Sequence, residues 1–165
     1  MMKKIIPLIM VTALLASCEA DLPAQLDCAS GNCDFVFEVE KRLFRTQSRG
    51  DEFIEIREGN DMVFYASFVE EDDPFIADDE YSERILIQVP ATDTDFLYEG
   101  DAIADLNIYV LPSCFCPPEI GEAWGGKIAG TKLADNTWKL EIELDYDLFE
   151  APMKRIIEGE FKGVN

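Results

Sequence analysis

The sequence predicts an all-β fold, either a single antiparallel β-sandwich, for which an immunoglobulin-like arrangement is one option, or a small up-and-down β-barrel. About eight short segments alternate apolar and polar residues. Turn-forming Gly, Asn, Asp and Pro separate these segments, and no twelve-residue window beyond the first eighteen residues shows a helical 3.6-residue period. The same alternation fits both arrangements, so the sandwich and the barrel both stay open.

The first predicted strands lie in the N-terminal half of the chain. Residues 34–44 alternate aromatic and branched side chains with glutamates, which indicates a half-buried strand. Residues 53–57 and 62–69 are expected to form two further strands. We place a tight hairpin turn between them at 58–61, because its Gly and Asn suit positive φ angles.

The middle of the chain contains two more strands separated by an acidic segment. Residues 85–89 form a strand that Pro90 ends, because proline lacks the N–H that a ladder needs. Residues 91–102 are expected to be a loop with one short strand. A strand over 103–111 follows, and Pro112 closes it.

The C-terminal segments give the clearest pattern. Residues 138–146 alternate strictly and should pair with 127–133 across a turn at 134–137, where Asp and Asn tolerate left-handed geometry. A last strand is predicted over 153–162, with Ile157 and Phe161 inward. The alternation predicts five further inward residues: Trp138, Leu140, Ile142, Leu144 and Tyr146.

Composition excludes several classes of function. The chain has 34 acidic residues, 14 basic residues and no histidine. A strongly acidic protein is repelled by nucleic acid, so we expect no nucleic-acid partner. Without histidine, neither Ser-His-Asp nor Cys-His catalysis nor a His-ligated metal site can be built. We expect no catalytic residues, no metal site and no cofactor, and we do not expect an enzyme.

The first eighteen residues form a targeting signal. Lys3 and Lys4 precede an apolar run that is too short to span a bilayer as a helix. The run ends in Leu15-Ala16-Ser17-Cys18, which resembles the lipobox of bacterial lipoproteins. That resemblance implies cleavage before Cys18 and acylation of its thiol, so membrane lipid becomes a partner of the mature chain through Cys18.

The resemblance divides the chain into three parts. Residues 1–17 are the signal peptide, 18–33 the lipidated N-terminus and tether, and 34–165 the all-β domain. Without residues 1–17 the charge balance is 12 basic against 34 acidic residues, a net charge of −22. The expected location is the cell envelope. Acidic residues just after Cys18 resemble the surface-export signals of some Bacteroidota lipoproteins, which favours the outer membrane.

Four cysteines remain once Cys18 carries lipid: Cys28, Cys33, Cys114 and Cys116. Outside the cytoplasm an even number of cysteines predicts structural disulfides, and four allow three pairings. We favour bridges between the 28/33 and 114/116 pairs, because a Cys114–Cys116 ring is very tight. The alternatives are a redox-active thiol pair and a four-thiolate Zn²⁺ or Cu(I) site.

Three further features are weaker candidates. Residues 70–80 carry seven acidic side chains, which suits either a Ca²⁺ loop or a solvated, self-repelling loop, although their spacing does not match an EF-hand. Arg49-Gly50-Asp51 is the tripeptide of integrin ligands, for which a plain glycine turn is the simpler interpretation. Trp124 is expected to cover the core rather than to bind a ligand.

These observations predict a membrane-anchored, exported lipoprotein that acts as a non-catalytic binding or accessory module, with a protein partner in the cell envelope. One alternative is a thiol-based redox or metal-handling lipoprotein that uses the four cysteines. The other is a Ca²⁺-dependent surface module that uses the acidic segments.

Overall fold

A computed structural model of the chain describes Gln25, Leu26, Cys28 and residues 31–70, 81–114 and 118–164. The prediction of an all-β fold is confirmed. Eight strands and one short helical turn follow in chain order: β1 Gly31–Ser48, β2 Asp51–Glu70, β3 Ser82–Pro90, β4 Phe96–Glu99, α1 Asp101–Ala104, β5 Asn107–Ser113, β6 Gly121–Ala134, β7 Thr137–Leu148 and β8 Ala151–Gly163.

The strands form one sheet that runs back on itself. Its hydrogen-bonded order is β4-β6-β5-β3-β2-β1-β8-β7, and β7 also pairs with β6, so seven strands form a closed, barrel-like ring. Every pair of strands is antiparallel except β1 and β8, which meet at Val36–Lys162 and Phe37–Gly163. The N-terminal segment continues this seam, because Gln25 forms a parallel bridge to Ile156 and Leu26 is buried.

The interior of the ring is filled by aromatic and branched side chains. All five inward residues predicted on β7 are buried, as are Ile157 and Phe161 on β8. Phe64 lies at the centre, and its ring centroid is 5.5 Å from both Phe37 and Phe161. Edge-to-face and tilted contacts of this kind add to the gain from burying apolar area.

The predicted hairpin turn at 58–61 is wrong. β2 passes through these residues without reversing, and Lys41 of β1 faces both Glu58 and Asp61, so two extra residues form a bulge. Turns and bulges both use Gly and Asn, so composition did not separate them. The hairpin instead reverses at Arg49 and Gly50, whose φ angles of 56° and 100° suit a two-residue turn. We call residues 41–58, beyond the bulge, the arm.

Two other boundaries differ from the prediction. The segment 91–102 does contain one short strand, β4, but a helical turn, α1, follows it and buries Ile103. The strand predicted from residue 103 therefore begins at Asn107. The predicted pairing of β6 with β7 across Asp135 and Asn136 is confirmed.

No helix in the described residues is long and apolar enough to cross a membrane.

Candidate functional site

The arm lies against the outer surface of the ring and buries a second apolar cluster there. β2 pairs with β3 only between Asp61 and Val69, so the arm is free to bend away from the sheet at the bulge. Because side chains alternate along a strand, one face of the arm points toward the ring. The buried residues of the outer cluster are Leu43, Val63, Leu86 and Tyr109, and four partly buried residues pack against them: Ile54, Tyr65, Leu111 and Ile120.

Polar contacts fasten the arm to the ring at two points. The backbone N–H of Leu43 donates to Gln88 Oε1 at 2.7 Å, and the Gln88 amide donates in turn to Asp61 at 2.6 Å. The Arg45 guanidinium lies 2.6 Å from Glu52 within the arm and 3.1 Å from Glu122 on β6. The hydrogen bond to Glu52 raises the pKa of Arg45, and the charge of Glu122 adds to the rise.

A cleft of about 580 Å³ opens between the tip of the arm and the ring. This volume lies within the usual range for ligand pockets. The arm and its turn contribute the five consecutive residues 50–54, together with Arg45 and Gln47. The ring side of the cleft consists of Arg84, Leu111, Pro112, Pro118, Glu119 and Ile120.

Arg84 supplies the available positive charge of the cleft. It is exposed on β3, directly beside Leu111 of β5, and its side chain makes no ion pair or hydrogen bond with any residue in the described ranges. The second arginine of the cleft, Arg45, is already held by Glu52 and Glu122. An exposed guanidinium beside apolar walls suits a carboxylate attached to an apolar group.

The arm differs from the rest of the chain in charge. It contains five of the 14 basic residues of the chain and four acidic residues, a net charge of +1 within a chain of −20. On its solvent face the guanidinium carbons of Arg42 and Arg57 lie 4.3 Å and 4.7 Å from the centre of the Phe44 ring. These cation–π contacts hold the two charges on the outer side of the arm, away from the cleft.

The tripeptide Arg49-Gly50-Asp51 lies at the exposed tip of the arm. Arg49 and Gly50 form the reversal, and Asp51 begins β2. The glycine turn proposed from the sequence therefore accounts for this motif. The tip takes part in the cleft through Gly50 and Asp51.

Inside the ring, one ion pair interrupts the apolar core. Glu83 of β3 and Arg155 of β8 are buried, and Arg155 Nη2 donates to Glu83 Oε2 at 2.5 Å. The hydroxyl of Tyr81 donates to the same oxygen. Burial alone would lower the pKa of Arg155, but the charge of Glu83 offsets this and the pKa is raised. This cluster has no opening to the cleft in the described residues, and we assign it a structural role.

The cysteines are paired differently from the arrangement that we favoured. Cys28 forms a disulfide with Cys33, so the cross-linked pairing with the 114/116 pair is wrong. The strands β2 and β3 lie between Cys33 on β1 and Cys114 at the end of β5, which puts them beyond the reach of one disulfide. Because Cys28 and Cys33 are bonded to each other, these two residues do not supply free thiolates for a four-thiolate site. Cys114 is also disulfide-bonded, and Cys18 and Cys116 lie outside the described residues.

The remaining candidate residues do not converge on a site. Most of the acidic segment 70–80 lies outside the described residues, and the part of the chain that the structure does describe has no group of three or more possible metal ligands. The prediction for Trp124 is wrong, because it is 52% exposed on β6 while its neighbours Ala123 and Gly125 are buried.

Comparison with known proteins gives no relative: no family model, curated protein or solved structure matches the chain. The cleft therefore has to be interpreted from its own chemistry. The sequence analysis did not identify Arg84 or the Glu83–Arg155 pair. The only sequence signal for either was the charged pair Glu83 and Arg84 directly before the apolar run 85–87, and Arg155 within β8.

Proposed function

We propose that this protein is a lipid-anchored lipoprotein of the bacterial cell envelope, whose domain is a non-catalytic binding module that uses the cleft beneath the arm. The observation that carries the binding role is the cleft itself, where an exposed Arg84, which pairs with no residue in the described ranges, lies beside the apolar side chains of Leu111, Pro112 and Ile120. The lipobox at Leu15–Cys18 supports the anchor. The expected partner is a protein of the envelope.

The way the chain enters the domain limits how far the domain can stand from the membrane. Leu26 is buried, its N–H donates to the carbonyl of Ile156 at 3.2 Å, and the Cys28–Cys33 disulfide closes the next few residues. Seven residue steps separate Cys18 from Gln25, and such a segment spans at most about 25 Å when fully extended. An acylated Cys18 would therefore hold the domain close to the lipid surface.

Membrane fractionation tests the anchor. Full-length protein should sediment with membranes and incorporate a labelled fatty acid, whereas Cys18→Ala should do neither. The matched control is the double change Cys28→Ala with Cys33→Ala, which removes two cysteines elsewhere and should leave the acylation unchanged. The lipoprotein assignment fails if Cys18→Ala still carries the label.

Photo-cross-linking in intact cells tests the binding role. A benzoylphenylalanine in place of Phe53 lies at the cleft, and one in place of Leu97 lies on β4; both native side chains are exposed, by 39% and 55%. We expect a defined adduct from position 53 that position 97 does not give. Equal adduct patterns from the two positions would contradict a binding role for the cleft.

A further inference from the structure

One edge of the arm has unpaired backbone groups that face the cleft. Residues 51–58 of β2 pair with β1 and with no other strand in the described part of the sheet. Around a two-residue turn, hydrogen-bonded and non-hydrogen-bonded residue pairs alternate, so Gln47↔Glu52, Arg45↔Ile54 and Leu43↔Ile56 are non-hydrogen-bonded pairs. The N–H and C=O groups of Glu52 and Ile54, which both line the cleft, therefore point away from β1, toward the free edge.

Two observations agree with this orientation. The N–H of Leu43 also points outward on the β1 side of the arm, where it is satisfied by Gln88. On the β2 side, the cleft is lined by consecutive residues from Gly50 to Ile54. Because side chains alternate along a strand, a run of consecutive lining residues means that the strand presents its edge to the cleft. An unpaired edge of this kind is a template for another extended chain.

The opposite wall suits the side chains of such a chain. Leu111, Pro112 and Ile120 offer apolar contact, and Arg84 stands beside them. Two of the three carboxylates that line the cleft are engaged, since Glu52 pairs with Arg45 and Glu119 accepts the backbone N–H of Phe149 at 2.8 Å. The third, Asp51, belongs to the tip of the arm. The charge available for pairing on the ring side is therefore positive.

We propose that the cleft binds an extended peptide segment of a partner protein, which adds as a strand to the free edge of β2 and places a carboxylate on Arg84. This inference rests on the binding role proposed above and specifies its ligand. Main-chain hydrogen bonds provide affinity in this mode of recognition, and the apolar wall and Arg84 provide specificity. A small molecule without an extended main chain leaves the edge of Glu52 and Ile54 unmatched.

Peptide selection on the purified mature chain with Cys18→Ala tests the proposal. The probe is a displayed library of random octapeptides with free C-terminal carboxylates. A selected sequence is then synthesised with a C-terminal acid or amide, and with each acidic side chain changed to its amide. We expect one of these carboxylates to account for at least a tenfold change in Kd, since a charge-assisted pair is lost with it.

Two further measurements connect this affinity to Arg84 and to the strand edge. Arg84→Gln should weaken binding about as much as removing the peptide carboxylate, whereas Lys127→Gln, an exposed cation on β6, should leave it unchanged. N-methylation at one set of alternate peptide residues should abolish binding, and methylation of the other set should not, because only alternate N–H groups of an added strand face β2. Both protein changes are on the surface and should preserve the circular dichroism spectrum.

Three results would overturn the proposal: no enriched sequence, binding that Arg84→Gln leaves unchanged, or equal sensitivity to both methylation sets. A dimer in sedimentation that Arg84→Gln disperses would assign the edge to a second copy of this chain instead. If the peptide experiments fail but position 53 still gives a defined cross-link, the binding role stands and only the peptide ligand is rejected. If neither peptide binding nor a defined cross-link is found, the binding role itself is rejected.

Discussion

The strands β2, β3 and β5 are apolar on both faces, but the two faces are buried by different parts of the molecule. The inner face is enclosed by the ring itself, and residues of seven strands and the helical turn share one large cluster around Phe64. The outer face is covered mainly by the arm, and its buried cluster has four members. Removing the arm would expose the outer cluster without opening the ring, so the arm can open at a lower free energy than the ring unfolds.

The largest expected effect is the loss of a central side chain of the ring. Trp138 is 2% exposed and its ring centroid lies 5.4 Å from that of Phe96. We expect Trp138→Ala to lower the free energy of unfolding by about 4 kcal/mol, because it removes a large buried side chain and leaves a cavity. Urea unfolding followed by circular dichroism measures this change.

The second tryptophan is a matched control for the first. Trp124 is half-exposed on β6, so Trp124→Ala should change the free energy of unfolding by about 0.5 kcal/mol or less. Comparable losses from the two substitutions would mean that the inner and outer faces of the ring are wrongly assigned.

The next effect concerns the ion pair inside the ring. Arg155→Met leaves the Glu83 carboxylate buried without its guanidinium, which should cost about 3 kcal/mol. Changing both residues, as Glu83→Leu with Arg155→Met, also removes the unpaired buried carboxylate. The double variant should therefore regain much of the lost free energy of unfolding. Urea midpoints of the single and double variants decide the question, and a double variant no more stable than the single would show that the pair itself does not set the cost.

The inner face was predictable because its pattern is local. Along β7 the apolar residues fall on one parity for ten residues, and each of them is buried. The ends of the strands follow from proline and from turn residues such as Asp135 and Asn136. Glu83 and Arg155 lie on the same parity as apolar neighbours, but only the three-dimensional arrangement brings them together. Their sequence separation is 72 residues.

The outer face was not predictable because it depends on one long-range bend. Ile85, Leu86 and Ile87 are consecutive apolar residues, and only the arm explains why Leu86 is buried on the outside. The bend itself arises at Gly59 and Asn60, which we assigned to a turn. That one error divided β2 into two strands, and it concealed both the arm and the cleft. The order of strands in the sheet, which the sequence did not reveal, likewise keeps Cys33 apart from Cys114.

A smaller and more local effect is expected from the outer cluster. Leu43 is buried between the arm and the ring, and Leu43→Ala should lower the free energy of unfolding by about 2 kcal/mol, the lower end of the range, because a small cluster can collapse around the lost atoms. Amide hydrogen exchange should quicken along the arm while β7 and β8 keep their protection. Uniformly faster exchange throughout the sheet would mean that the arm and the ring open together.

The smallest effect is a pH dependence that separates the two faces. Burial raises the pKa of Tyr109, beneath the arm, and the Glu122 carboxylate adds to the rise. The folded state therefore favours the neutral phenol, so its contribution to stability is complete below pH 10 and decreases as the pH rises toward the folded-state pKa. Burial also raises the pKa of Tyr81 and Tyr146 inside the ring, which gives the same sign. Tyr109→Phe should therefore reduce, without abolishing, the fall in urea midpoint between pH 9 and pH 11. If the urea midpoint of Tyr109→Phe fell as much as that of the unchanged protein, ionisation of Tyr109 would not be opposing the packing of the arm.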